Sequence, residues 1–97
     1  MAKPKEEIIR DIANHFKGTP YRNCYIGITS DVKRRLFGEH NVSREHGHWI
    51  YRTAFSHKVA REIEQYFIER GFDGGAGGGD KDSRIVYAYK KTSYTKP

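Results

Sequence analysis

The sequence predicts one α+β domain over residues 1–97, with a small antiparallel sheet of about three strands flanked by three helices. Two stretches, 6–16 and 57–70, repeat apolar residues at helical spacing. Two others, Tyr21–Thr29 and Arg84–Lys90, alternate with the period of a strand. Ninety-seven residues are enough for one hydrophobic core and not for two.

Each element has its own signal. After the polar lead-in Met1 to Lys5, Ile8, Ile9, Ile12, Ala13 and Phe16 form one helical stripe, and Gly18 stops it. Gly18-Thr19-Pro20 turns the chain into a strand in which Cys24, Ile26 and Ile28 alternate with Tyr25, Gly27 and Thr29. Thr29 or Ser30 is expected to cap the next helix, 30–39, with Asp31 in its first turn, where the helix dipole favours a carboxylate. Val32 and Leu36 supply its buried side, and Lys33, Arg34 and Arg35 lie opposite or at the edge. A strand feeding directly into a basic helix aims cations at an anion. His48 to Thr53 is rich in β-formers and predicts a short strand. Ser56 caps a helix whose buried residues are Val59, Ala60, Ile63, Tyr66 and Phe67, and Gly71 ends it. Phe72 to Asp82 is a glycine-dense loop, either a connector or a place where backbone amides approach a phosphate; it matches neither a P-loop nor a dinucleotide fingerprint. Strand Arg84–Lys90 and a basic tail follow.

Composition narrows the partners. Eighteen Lys and Arg against 12 Asp and Glu give +6 and favour a polyanion such as nucleic acid. Aromatic residues make up 13% of the chain, which argues for a packed core over disorder. No apolar run approaches the ~20 residues of a membrane span, and the start lacks a signal-peptide core. The single cysteine, Cys24, forbids an internal disulfide and is read as an inert core thiol, which fits the cytoplasm. His40, His46 and His48 lack Cys or carboxylate partners at zinc-finger spacing.

Tyr25-Ile26-Gly27, Arg35 ten residues further on, and Glu39-His40-Asn41 resemble the second motif and following helix of the GIY-YIG nucleases. Ala60-Arg61-Glu62-Ile63-Glu64 resembles that family's next helix, where an Ala precedes the metal-binding Glu by four residues. Tyr25, Arg35, His40 and Glu64 arrive in the family's order, over roughly Tyr25 to Ile68. Two departures stand out. One extra residue, around Phe37-Gly38, separates the Arg from the His. The family also opens with a Gly-Ile-Tyr strand paired to Tyr-Ile-Gly, whereas a helix precedes Tyr25 here. Ile85-Val86-Tyr87-Ala88-Tyr89 is expected to fill that slot from the C-terminal side, as in a circular rearrangement. Cys24, Ile26, Val86 and Ala88 would then face the helices, with Tyr25, Tyr87 and Tyr89 on the open face. The family's late Asn has no counterpart after Gly71; Asn41, Asp82 and Ser83 are the available stand-ins.

The resemblance implies a divalent-metal-dependent endonuclease acting on DNA, single- or double-stranded. Glu64 would hold one Mg²⁺ or Mn²⁺. Arg35 would fork onto the phosphate, with Lys33 and Arg34 binding nucleic acid beside it. Tyr25 or Tyr87, helped by His40, would handle the proton of the attacking water. Glu62 competes with Glu64, and both read equally as surface charges without the resemblance. Two further classes fit the composition: a nucleic-acid-binding module without cleavage, and an interaction domain whose tyrosine face is the interface.

Overall fold

The computed structural model describes residues 1–75 and 82–97. Among these, five strands and two α-helices follow in the order β1 (Ala2–Lys3), α1 (Lys5–His15), β2 (Cys24–Thr29), β3 (Trp49–Ala54), α2 (His57–Glu69), β4 (Asp73–Gly74) and β5 (Ile85–Lys90). A third, shorter helix at Arg34–Glu39 is π-helical.

The sheet order is β1-β3-β5-β2-β4. β5 is central and antiparallel to both β2 and β3, while the outer strands pair in parallel with β3 and β2. The expected three-stranded antiparallel sheet is therefore corrected to a five-stranded mixed one. Its inner three strands are the expected ones. The two extra strands are two residues long, Ala2–Lys3 and Asp73–Gly74. Segments that short carry no alternation and pair through backbone alone.

The strand expected from Tyr21 begins at Cys24, because Tyr21–Asn23 winds into a 3₁₀ turn after Pro20. α1 follows Pro4, whose extended backbone sets the entry, and carries Glu6 and Glu7 in its first turn. Ser56 Oγ accepts from Val59 N at 3.1 Å, capping α2. Gly18 and Gly71 leave their helices at φ 87° and 118°, conformations that suit residues without a Cβ.

Helices cover one side of the sheet. Ile8 and Ile12 of α1, Phe16 just after it, and Ala60, Ile63 and Phe67 of α2 pack on Cys24, Ile26, Ile28, Ile50, Val86 and Ala88. Tyr25, Tyr87 and Tyr89 point the other way, as their positions in the strands require. That side is not the open face expected. Val32, Leu36 and Val42 close over the tyrosines, and Tyr87 and Tyr89 are fully buried.

The basic helix expected over 30–39 also differs. Thr29 Oγ1 accepts from Asp31 N, and Asp31 Oδ1 accepts from Arg34 N at 3.2 Å. Asp31 is thus the capping residue in place of Thr29 or Ser30. The turn then widens, with His40 N donating to Arg35 O, five residues back, at 2.9 Å. Asn41 at φ 57° ends it.

Candidate functional site

The centre of the site is the Tyr87 hydroxyl. Cross-strand register sets Tyr87 opposite Gly27 and Tyr89 opposite Tyr25. Because Gly27 has no side chain, the Tyr87 ring can lie across it: a Cβ built there would stand 2.5 Å from the Tyr87 oxygen. The glycine of Tyr-Ile-Gly thus has a steric reason. It lets a ring from the neighbouring strand cross the backbone.

Arg35 and His40 both reach this hydroxyl. The Arg35 guanidinium lies near enough to the Tyr87 oxygen that their interaction raises the pKa of Arg35. His40 Nε2 lies 2.7 Å from the same oxygen. In an ordinary α-turn, residues five apart diverge around the axis. The widened turn between Arg35 and His40 directs both side chains toward the Tyr87 hydroxyl.

Hydrogen bonds assign the histidine proton. His40 Nδ1 lies 2.8 Å from the Lys96 carbonyl oxygen, which can only accept. Nδ1 therefore carries the hydrogen, shared with the Tyr89 hydroxyl at 3.0 Å. Nε2 keeps its lone pair and accepts from Tyr87 O–H. Burial lowers the pKa of His40 and favours this neutral ring, with the Arg35 charge acting in the same direction.

Burial sets the tyrosines. Tyr87 is pushed up to about 12 by desolvation, against the opposing pull of the Arg35 hydrogen bond. Tyr25 is raised by burial, while Arg35 and the Gly75 N–H pull it down. Its ring centroid is 4.8 Å from that of His40 and 5.3 Å from that of Tyr89. Tyr89 is raised furthest, again chiefly by burial.

Glu64 joins the group through its field. It is buried on α2, and its charge raises the pKa of both Tyr25 and Tyr87. Arg61 Nη1 stands 3.7 Å from Oε1, one turn back on the helix. Oε2 is buried and has no hydrogen-bond partner among the described residues. Desolvation raises the pKa of Glu64, opposed by Arg61 and His57. Glu62, its competitor, is a surface residue 3.5 Å from Lys5 Nζ.

An orphaned, buried carboxylate oxygen is a ligand of the kind one hard divalent ion accepts. Such an ion takes a single carboxylate and completes its shell with waters and phosphate oxygens. No group of three or more His, Cys, Asp and Glu that could cage a metal exists among the described residues. Among the described residues Glu64 is the candidate ligand that the sequence reading names for Mg²⁺ or Mn²⁺. His46 is solvent-exposed, and His48 Nε2 bonds the His15 carbonyl, so neither approaches His40's partners.

Of the five sequence-derived candidates, Tyr87 carries the central hydroxyl, His40 bonds it, Tyr25 and Arg35 lie beside it, and Glu64 acts on it through its charge. Lys33 and Arg34 stay on the exposed side of the turn, Arg34 3.3 Å from Glu39. Asn41 is exposed and donates to the Tyr94 carbonyl, away from the centre. Ser83 is buried, and its carbonyl accepts from His57 Nδ1 at 3.1 Å. Sequence reasoning missed the Lys96 carbonyl and the Gly75 amide, since backbone groups carry no residue signature. The partnership of Tyr89 with His40 was open to it, because Tyr89 follows Tyr87 at strand period. The central part of the glycine loop, 76–81, lies outside the described residues, and with it the expected contact of its amides with phosphate.

Comparison with protein-family models, with curated proteins and with solved structures finds no match to this chain. No helix among the described residues is long and apolar enough to cross a membrane.

Proposed function

We propose that this protein is a divalent-metal-dependent endonuclease that hydrolyses DNA phosphodiester bonds with a site of the GIY-YIG type. In this reading β5 supplies the strand that the family carries first. The observation that carries the proposal is the Tyr87 hydroxyl bonded by His40, with the Arg35 charge lowering its pKa, the Glu64 charge raising it, and one Glu64 oxygen buried without a hydrogen-bond partner among the described residues.

Hydrolysis needs a deprotonated water, neutralisation of the charge that develops on phosphorus-bound oxygens, and help for the leaving oxygen. Neutral His40 takes the Tyr87 proton at Nε2, while Arg35 stabilises the phenolate left behind. Tyr87 is fully buried, so the cover of Val32, Leu36 and Val42 has to open for its hydroxyl to accept the proton of the attacking water. Arg35, still partly exposed, also faces the phosphate, where its charge is worth more as negative charge accumulates. A divalent ion held by Glu64 would supply Lewis-acid stabilisation of the phosphate and leaving oxygen. Lys33 and Arg34 steer the DNA backbone to this point.

Arg35→Ala is expected to lower cleavage by about a thousandfold, since it removes both the phosphate partner and the phenolate partner. The fold should survive, as the Arg35 side chain is part-exposed and its pairing with Glu39 is a surface contact. Cleavage assays with circular dichroism on the same preparation test this. A folded Arg35→Ala variant with unreduced turnover removes Arg35 from the site.

A further inference from the structure

We infer that Trp49 and Tyr51 form a stacking subsite for an unpaired nucleobase beside the scissile phosphate, so that the bound strand is single-stranded there. The inference rests on the nuclease reading above and adds the strand state of its substrate.

Trp49 and Tyr51 are alternate residues of β3 and project from the same face as the central tyrosines. Register puts Tyr51 opposite Tyr87 and Trp49 opposite Tyr89. The aromatic side chains therefore continue across the sheet from Tyr87 and Tyr89 of β5 to Trp49 and Tyr51 of β3. Tyr87 and Tyr89 are sealed, whereas Tyr51 is 41% exposed. The Trp49 and Tyr51 rings are parallel to within 8°, with centroids 6.2 Å apart. A groove of about 390 Å³ runs along the edge of β3, lined by Trp49, Tyr51, His15, Ile50 and Arg52, the last two projecting to the helix side.

The rings are braced. Phe37 meets Trp49 edge-on at 5.2 Å, and Trp49 Nε1 donates to the Arg44 carbonyl. The Arg44 guanidinium lies over Phe37, 4.4 Å from its centroid. Cations thus stand at both ends of the aromatic strip, Arg35 at the Tyr87 end and Arg44 beyond Phe37. Charge selects the occupant. A strip of flat rings bracketed by guanidinium groups, on a chain of net charge +6, matches bases flanked by phosphates better than an apolar peptide. A base inside a duplex hides its faces in the stack, so only an unpaired base fits.

Trp49 is the chain's only tryptophan, and its fluorescence reports on this site directly. In the absence of divalent cations, a thymidine oligonucleotide should quench Trp49, and an abasic strand of equal length should not. Tyr51→Ala should weaken thymidine-strand binding about tenfold and leave abasic-strand binding unchanged. Tyr51→Phe should behave as the parent. If Tyr51→Ala fails to fold, the comparison of thymidine and abasic strands on the parent chain decides alone. Equal affinity and equal emission with both strands overturn the subsite, as does tighter binding of duplex with unchanged Trp49 emission. Base-dependent quenching without any cleavage upholds the subsite and refutes the nuclease reading. Cleavage without base dependence does the reverse.

Discussion

Glu64→Gln is expected to reduce DNA cleavage by several orders of magnitude and, at neutral pH, to make the protein more stable. Both effects come from one charge. Gln keeps the size of the side chain but removes the charge that would hold the divalent ion, and Arg35 and Tyr87 do not replace it. DNA binding should persist or tighten, because a negative charge facing phosphates is gone. The stability effect follows from burial: Oε2 is desolvated and lacks a hydrogen bond among the described residues. Relief of such a group is worth on the order of 1 kcal/mol, or about 5 °C in a domain of this size.

The pH dependence has a definite sign. The folded protein raises the pKa of Glu64 above its ordinary 4.5. The group's favourable contribution is therefore complete below that ordinary value and is lost as pH rises through the raised one. The gap between Glu64→Gln and the parent should be widest near neutrality and close in acid. His40 acts oppositely, since its pKa is lowered from 6.5 and its contribution is lost as pH falls through the lowered value. Both proteins carry His40, so that slope cancels in the difference. Thermal melts of the pair across pH measure it. A variant no more stable than its parent at neutral pH would mean that the carboxylate is satisfied in the apo protein. Glu62→Gln, which loses only a surface pair with Lys5, should change neither quantity. A dead Glu62→Gln beside a live Glu64→Gln would assign the metal to the wrong carboxylate.

Gly27→Ala carries the second large effect. The new methyl would sit 2.5 Å from the Tyr87 oxygen and 2.6 Å from Cζ. A flexible side chain could retreat, but this ring is fully buried and its hydroxyl is held by His40. Overpacking of this kind costs about 1–3 kcal/mol. Displacing the hydroxyl by even ~1 Å should lower cleavage about a hundredfold. The two losses separate in a double-mutant cycle. In a Tyr87→Ala background the added methyl should cost little stability, because the ring it strikes is absent. Additive losses in denaturant melts would show that Gly27 matters for backbone reasons and not for the ring above it.

The sequence made the inner sheet legible because β2, β3 and β5 carry β-formers over six residues each. It hid β1 and β4, which pair through backbone alone. The pairing of Tyr87's strand with Tyr25's was expected from alternation together with the resemblance, whose first strand has no counterpart before Tyr25. Burial of the tyrosine face was not, since the residues that cover it, Leu36 and Val42, belong to a turn whose π geometry no propensity announces. Arg35 and His40 were legible as residue types at a spacing. Their convergence on one oxygen depends on the i to i+5 bond, a property of the folded turn. The tautomer of His40 likewise depends on a carbonyl fifty-six residues away.

Cleavage of labelled DNA by the unmodified protein, with and without Mg²⁺ or Mn²⁺, tests the central claim most directly. Single strands and duplexes should be assayed side by side under low salt, where phosphate contacts are strongest. The account predicts hydrolysis in the presence of either cation and none in chelator, with intact phosphate and hydroxyl ends on the products. Salt-sensitive DNA binding without cleavage in either cation would contradict it and leave a binding module on this scaffold.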